Sequence, residues 1–257
     1  IMKIYFTIVF FLLGTILGSF YNVVGYRLCK NESLIKPGSH CPKCNHKLSF
    51  LELIPVFSYV FLKGRCKACK EKISLFYPLI ELFTGLLFAT CFYSFGFSYD
   101  LLISLSLVSL LSIVIVSDVN FYIIPDEVTI FFGILIIIIN ILKYGFVSSL
   151  TYILYGVIMF LFMYLIMILG KFMFKEEALG GGDVKLLFVL GLTLPIMSSF
   201  LSLILATLIA FPISLYLLLS KKDKIIPFGP FLVLGTLIIF LMKIDINTVI
   251  NYVSLIY

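Results

Sequence analysis

The run Leu179-Gly180-Gly181-Gly182-Asp183-Val184-Lys185-Leu186 breaks a sequence that is otherwise close to continuous membrane-type hydrocarbon. Irregular backbone at membrane depth survives only where protein buries it or water reaches it. An ionisable residue at the margin of an apolar helix is by default a functional group with a partner to be named. The best partner is Asp118, in Val116-Ser117-Asp118-Val119-Asn120-Phe121-Tyr122-Ile123-Ile124-Pro125-Asp126, at the end of another apolar run. Together the two stretches predict a helical membrane bundle that brings two carboxylates from separate helices beside a glycine loop.

Composition agrees. The chain has 257 residues, of which 62% are hydrophobic and only 12% charged, and its mean hydropathy is +1.19. A water-soluble domain carries about 25% charged residues, so that class is excluded and membrane lipid is the expected surroundings. The net charge of +6 does not indicate nucleic acid. The basic residues are concentrated in loops between apolar segments, and no basic helix or basic patch interleaved with aromatics is present.

Apolar segments lie near 4–24, 76–98, 101–117, 127–142, 148–174, 184–196, 198–219 and 228–244, which predicts an all-α polytopic protein with about eight transmembrane helices. Pro195 is the main break within 184–219, so that region reads either as two helices or as one kinked element. Only Lys3 precedes the first apolar run, which continues past Gly18 and Ser19, so it is expected to remain as a helix and not to be a cleaved signal. The expected organisation is a first transmembrane helix over 1–27, a polar cysteine-bearing loop over 28–75 and a transmembrane bundle over 76–257.

Orientation follows from charge. If the cysteine-bearing loop is cytoplasmic, successive spans put 118–126, 171–183 and 221–224 on that same side. The other side then keeps only Lys3, Lys143 and Lys243 of the nineteen basic residues, as the positive-inside rule requires. Asp118 and Asp183 fall at one membrane face by this count.

The loop carries Cys41-Pro42-Lys43-Cys44 and Cys66-Lys67-Ala68-Cys69. Two C-x-x-C knuckles supply the four thiolates of a closed tetrahedral Zn²⁺ site, held by a small ribbon-like loop. Their separation is slightly longer than usual, which a loop absorbs. Disulfides are the rival reading, but a cytoplasmic loop is in a reducing compartment. His40 and His46 read as polar loop residues, and Cys29 and Cys91 lack paired spacing.

Each acidic candidate has a structural alternative. Asp183 follows a glycine loop and precedes an apolar helix, where it would cap the N-terminus. Asp126, after Pro125 and before Glu127, suits a first helical turn. Asp118 ends an apolar helix, where the dipole disfavours negative charge, so its position calls for another explanation. An Asp118–Asp183 pair would share one proton. The ionised member would deprotonate a water while the protonated one donates to a carbonyl. Gly180, Gly181 and Gly182, lacking Cβ atoms, would let an extended substrate approach closely. Lys185 would trim local negative charge or anchor at the lipid interface. Glu81, in Tyr77-Pro78-Leu79-Ile80-Glu81, would hydrogen-bond within the bundle or bind a cofactor.

These residues together resemble the type IV prepilin peptidases, bifunctional leader peptidases and N-methyltransferases of the GxGD-type aspartyl proteases. The resemblance runs in order through Gly18-Ser19-Phe20-Tyr21-Asn22-Val23-Val24 and Arg27, Ser39-His40-Cys41-Pro42-Lys43-Cys44 and Ile54-Pro55-Val56-Phe57-Ser58-Tyr59. It continues through Gly64-Arg65-Cys66-Lys67-Ala68-Cys69, Tyr77-Pro78-Leu79-Ile80-Glu81, segment 118–126 and Gly180-Gly181-Gly182-Asp183-Val184-Lys185-Leu186. It implies a multi-pass protein of the bacterial cytoplasmic (inner) membrane that cleaves prepilin and pseudopilin leaders after a glycine at the cytoplasmic face. Asp118 and Asp183 would be catalytic. Methylation of the new N-terminal residue by S-adenosyl-L-methionine would follow, and the cysteines place the chain in the bifunctional branch. The alternatives are a peptidase without transferase activity, a zinc-ribbon membrane scaffold and a transporter. A scaffold has no need of Asp118 at a helix end, and the repeat symmetry expected of a transporter is not found.

Overall fold

The computed structural model describes residues 1–174, 180–219 and 226–244. Nine α-helices are present among them: α1 (Met2–Cys29), α2 (Phe57–Phe61), α3 (Phe76–Phe95), α4 (Tyr99–Phe121), α5 (Asp126–Tyr144), α6 (Phe146–Phe174), α7 (Gly181–Gly191), α8 (Ile196–Leu219) and α9 (Gly229–Met242). Among the described residues no β-strand forms, only two isolated bridges. Each of the eight apolar segments is helical, and α2 is one short extra turn. The basic stretch 221–224 and Leu179 lie outside the described residues.

Six helices, α1, α3, α4, α5, α6 and α8, are long and apolar enough to cross a bilayer, and the chain is a multi-pass membrane protein. The other two are short. At about 1.5 Å per residue, the eleven residues of α7 and the fourteen of α9 fall well below the roughly 30 Å of a hydrocarbon core. Pro195 separates α7 from α8, which settles the open reading of 184–219 as two helices.

The chain divides into two compact units, Ile1–Leu101 and Leu102–Tyr257. In the first, α1 packs along α3 at a crossing made of small residues. A Cβ on Gly85 would stand 2.6 Å from Thr15 Cγ2, and one on Gly14 only 2.7 Å from Phe88 Cβ. In lipid, such close backbone approach replaces the hydrophobic driving force that water would supply.

In the second unit, α6 packs on α7, α8 on α9, and α5 on both α6 and α7. The serines of α4 return their hydroxyls to their own helix, Ser106 to Leu102 O at 2.8 Å, Ser109 to Leu105 O at 2.7 Å and Ser112 to Val108 O at 2.9 Å. Short α7 is held against its neighbours at its C-terminal end. Asn140 of α5 donates Nδ2 to the Leu192 carbonyl just past the C-terminus of α7 at 2.8 Å. Gly191 and Gly156 let α7 touch the α6 backbone, since a Cβ on Gly191 would meet Gly156 Cα at 2.8 Å.

Candidate active site

Asp118 lies one turn before the end of α4 and is only 6% exposed. Its Oδ2 accepts the backbone N–H of Gly229 at 3.1 Å, the first residue of α9. Only a glycine fits there: a Cβ on Gly229 would stand 2.8 Å from Ile124 Cδ1, 3.0 Å from Val114 Cγ1 and 3.1 Å from Asp118 Oδ2. The positive end of α9 therefore faces the carboxylate, which supplies the compensation that the end of α4 denies it.

Asp183 sits in the first turn of α7, whose N-cap is Gly180. The N-cap itself carries no side-chain hydrogen bond, and an acid in this first turn suits the positive end of the helix, as the structural alternative for Asp183 expects. Gly180 is extended, with φ −72° and ψ 137°, and Gly182 packs its backbone on Ile124, where a Cβ would meet Ile124 Cβ at 3.1 Å. Gly181 faces open space.

A cavity of about 310 Å³ is lined by Asp118, Asp183, Gly180, Gly181 and Gly182, together with Tyr122, Ile123, Ile124, Asp126 and Lys185. The N-termini of the two short helices thus meet at two carboxylates that come from elements far apart in sequence. Asp126 is the first residue of α5. It takes Lys185 Nζ on both carboxylate oxygens at 2.8 Å. Lys185 has a protein partner, then, at the rim of the same cavity.

The bacterial peptidase A24 N-terminal domain profile matches residues 12–95, and that of the type IV leader peptidase family matches residues 105–215. The prepilin leader peptidase/N-methyltransferase of Bacillus subtilis (strain 168) is 35% identical over 237 residues, 91% of this chain and 93% of that protein. The protein of the same description from Neisseria gonorrhoeae is 31% identical over 264 residues, 93% of this chain and 92% of its own length. The chain belongs to the type IV leader peptidase family. The Myxococcus xanthus (strain DK1622) relative, 38% identical over 186 residues, is matched over 72% of this chain and 55% of its own. No solved structure matches.

Outside the membrane helices, this leader peptidase family member gathers the sulfurs of Cys41, Cys44, Cys66 and Cys69 within 4.8 Å of one another. Cys41 Sγ lies 3.9 Å from Cys69 Sγ, and Cys44 Sγ 3.9 Å from Cys66 Sγ. Bonds of about 2.3 Å to a tetrahedral Zn²⁺ separate sulfurs by about 3.8 Å, so two of the sulfur pairs stand at that spacing and the cluster could hold a metal ion. The two knuckles are copies of one backbone device. Cys41 N–H donates to His46 O at 3.0 Å and Asn45 N–H to Cys41 O at 2.9 Å; Cys66 N–H donates to Glu71 O at 2.9 Å and Lys70 N–H to Cys66 O at 3.0 Å. Bridges His40↔Lys47 and Arg65↔Lys72 close the two, and Asn45 and Lys70 both take positive φ, 54° and 60°.

The ionisation of the thiols points the same way. Backbone N–H groups of Lys43 and Cys44 draw Cys41 down to about 6. At Cys69 the Glu71 amide also favours the thiolate, but burial and the neighbouring sulfurs outweigh it and push the thiol up to about 12. Four sulfurs this close hold their negative charge together only around a cation. His46 is engaged with Glu52 at 3.3 Å and His40 with Gly38 O at 2.9 Å; neither joins the sulfurs.

Glu81 is 9% exposed and accepts the Val56 N–H at 2.7 Å, with the Ser19 hydroxyl as a second partner. Val56 is held at φ 62°, which a β-branched residue adopts only when its surroundings enforce it. Of the two roles weighed for Glu81, these bonds favour the one within the bundle. Sequence reasoning missed Gly229 altogether. Its signal was Pro227-Phe228-Gly229-Pro230, which starts the last apolar segment with a glycine followed by a proline suited to the first helical turn.

Proposed function

We propose that this chain cleaves the leaders of prepilins and pseudopilins after a glycine, with Asp118 and Asp183 as the catalytic pair, at the cytoplasmic face of the bacterial inner membrane. The observation that carries the reading is that these two aspartates line one cavity beside Gly180, Gly181 and Gly182 in a member of the leader peptidase family. The excess of basic residues in loops on one side of the apolar segments supports the cytoplasmic placement.

Two adjacent carboxylates do not both ionise readily, so the pair holds one proton between them. The Gly229 amide, fixed at Asp118 Oδ2, and the helix dipole behind it favour the charge on Asp118. Asp118 then takes a proton from a water while protonated Asp183 donates to the scissile carbonyl oxygen; collapse of the tetrahedral intermediate returns the proton to the leaving amine. The exposed backbone of Gly180 and Gly181 receives the extended chain around the cut.

We further read the chain as a methyltransferase that uses S-adenosyl-L-methionine on the new N-terminus, and the sulfur cluster as a structural Zn²⁺ site closed to substrate. Methyl transfer rests on the relatives' names alone. Glu81 accepts the Val56 N–H, and no residue of this chain is assigned to that step. The test is to incubate purified protein in detergent with a prepilin and the methyl donor and to weigh the product's N-terminal peptide. Loss of the leader plus the mass of one methyl group is expected; an intact leader overturns the reading.

A further inference from the structure

Between the two cysteine knuckles runs an apolar stretch, Phe50-Leu51-Glu52-Leu53-Ile54-Pro55-Val56-Phe57-Ser58-Tyr59-Val60-Phe61. It folds as a 3₁₀ turn, Phe50–Leu53, packed on α2. Helix α2 has two faces. Tyr59 turns toward the second knuckle, where its hydroxyl donates to Ile73 O at 3.3 Å and its ring lies over Gly64, 2.8 Å from where a Cβ would stand. Phe57, Val60 and Phe61, three and four residues apart, share the opposite face, and they are 59%, 65% and 82% exposed. Phe50 and Leu51 of the turn are 81% and 71% exposed. So many large apolar side chains left uncovered in one short segment mark a surface that meets something other than water.

The depth of the segment identifies what it meets. Val56, near its middle, gives its N–H to Glu81 at 2.7 Å. Glu81 is the sixth residue of α3, about 7.5 Å along the axis from Phe76 at the helical rise. The twenty residues of α3 make about 30 Å, the thickness of the hydrocarbon core with little to spare. Side chains lean toward the helix N-terminus, so the carboxylate stands within the outer turns of the span. Val56 is therefore held level with the membrane-crossing part of α3, not above it.

The flanks of the segment are basic. Lys43 and Lys47 precede it, Lys63, Arg65 and Lys67 follow it, and all five are exposed. Glu52, its one acid, is taken up by Ser49 and His46. An apolar face with cations beside it is the make-up of a segment lying in the plane of the interface, its hydrocarbon among acyl chains and its charges at headgroup phosphates.

We propose that Phe50–Phe61 is an interfacial ledge that sinks its exposed phenylalanines into the lipid beside α3 and so keeps the four-cysteine cluster at the membrane surface. Lipid is the occupant that this depth supplies and that the flanking cations match. The proposal stands apart from the peptidase reading, since it uses neither Asp118 nor Asp183.

The chain has no tryptophan, so one introduced at the ledge is the sole reporter. Phe61→Trp and, separately, Phe50→Trp should be reconstituted as full chains into vesicles of phosphatidylcholine and phosphatidylglycerol, with and without bromine on the acyl chains just below the headgroups. Bromolipid should quench either reporter by about twofold or more, while iodide in the water leaves it within about a tenth of its intensity. Neither result should change with the protein-to-lipid ratio. Phe57→Asp added to Phe50→Trp should weaken the bromolipid quenching and admit iodide, because charge is costly in lipid. Reporters quenched by iodide and not by bromolipid place the ledge in water and overturn the proposal. Shielding from both quenchers, or bromolipid quenching that disappears as the protein is crowded, means that protein covers the ledge and overturns it equally.

Discussion

Lys185 Nζ stands 2.8 Å from both carboxylate oxygens of Asp126. This separates the acids around the cavity by environment. Asp126 is matched by a cation and half-exposed, whereas Asp118 is buried and faces a backbone amide.

Because an exposed ion pair contributes about 0–1 kcal/mol, Asp126→Asn should keep leader cleavage within about fivefold of the parent. Steady-state kcat/KM on a prepilin is the measurement. A dead Asp126→Asn alongside an active Asp118→Asn would mean that Asp126 belongs to the catalytic pair.

Gly229 should tolerate no β-branched side chain. A Cβ at that position already crowds Ile124, Val114 and Asp118, so Gly229→Val pushes α9 away and withdraws the amide from Asp118. Displacing a catalytic group by about 1 Å costs about 10²-fold, so kcat should drop by that order while helicity and elution volume are retained. Cleavage at the parent rate would show that the Gly229 amide plays no part in setting Asp118.

Asn140 links α5 to the end of α7, and only 2% of it is exposed. Asn140→Leu leaves the Leu192 carbonyl without this donor in an apolar interior, at a cost of about 1–3 kcal/mol. Thermal unfolding in detergent should show a lowered midpoint. An unchanged midpoint would mean that α7 is anchored by its glycine contacts alone.

The metal prediction is about one zinc per chain by elemental analysis, as a closed tetrahedral site requires. Cys41→Ser or Cys69→Ser should lose it, and Cys29→Ser, outside the cluster, should not. Metal-free protein that keeps full cleavage and transfer would contradict a required metal.

Much of this was legible because membrane helices announce themselves by composition. Every apolar segment became a helix, and the cysteine spacing alone brought Cys41, Cys44, Cys66 and Cys69 to mind as one cluster. Asp118 and Asp183 stood out because charge is costly in lipid. What could not be read depends on pairing across distance. Lys185 had two plausible roles until Asp126 appeared 59 positions away, and the bond from Gly229 to Asp118 spans 111 positions. The crossing of Gly14 with Gly85 is invisible for the same reason: a small residue gives no sign of what lies above it. The likeness of the two knuckles was hidden because backbone hydrogen bonds repeat there while side chains do not. Hydropathy also overstated α7 and α9, since apolar content does not reveal where a helix stops.

The central claim is that Asp118 and Asp183 act as one unit. Asn keeps the shape of the carboxyl side chain but cannot share an ionisation, so each variant should remain folded. Rates of leader cleavage should be measured for Asp118→Asn, Asp183→Asn and the double variant on the same prepilin. Each single change should lower the rate by about 10³-fold or more, and the double change should add less than about threefold, as for groups that work together. Near-parental cleavage by both single variants would contradict the account.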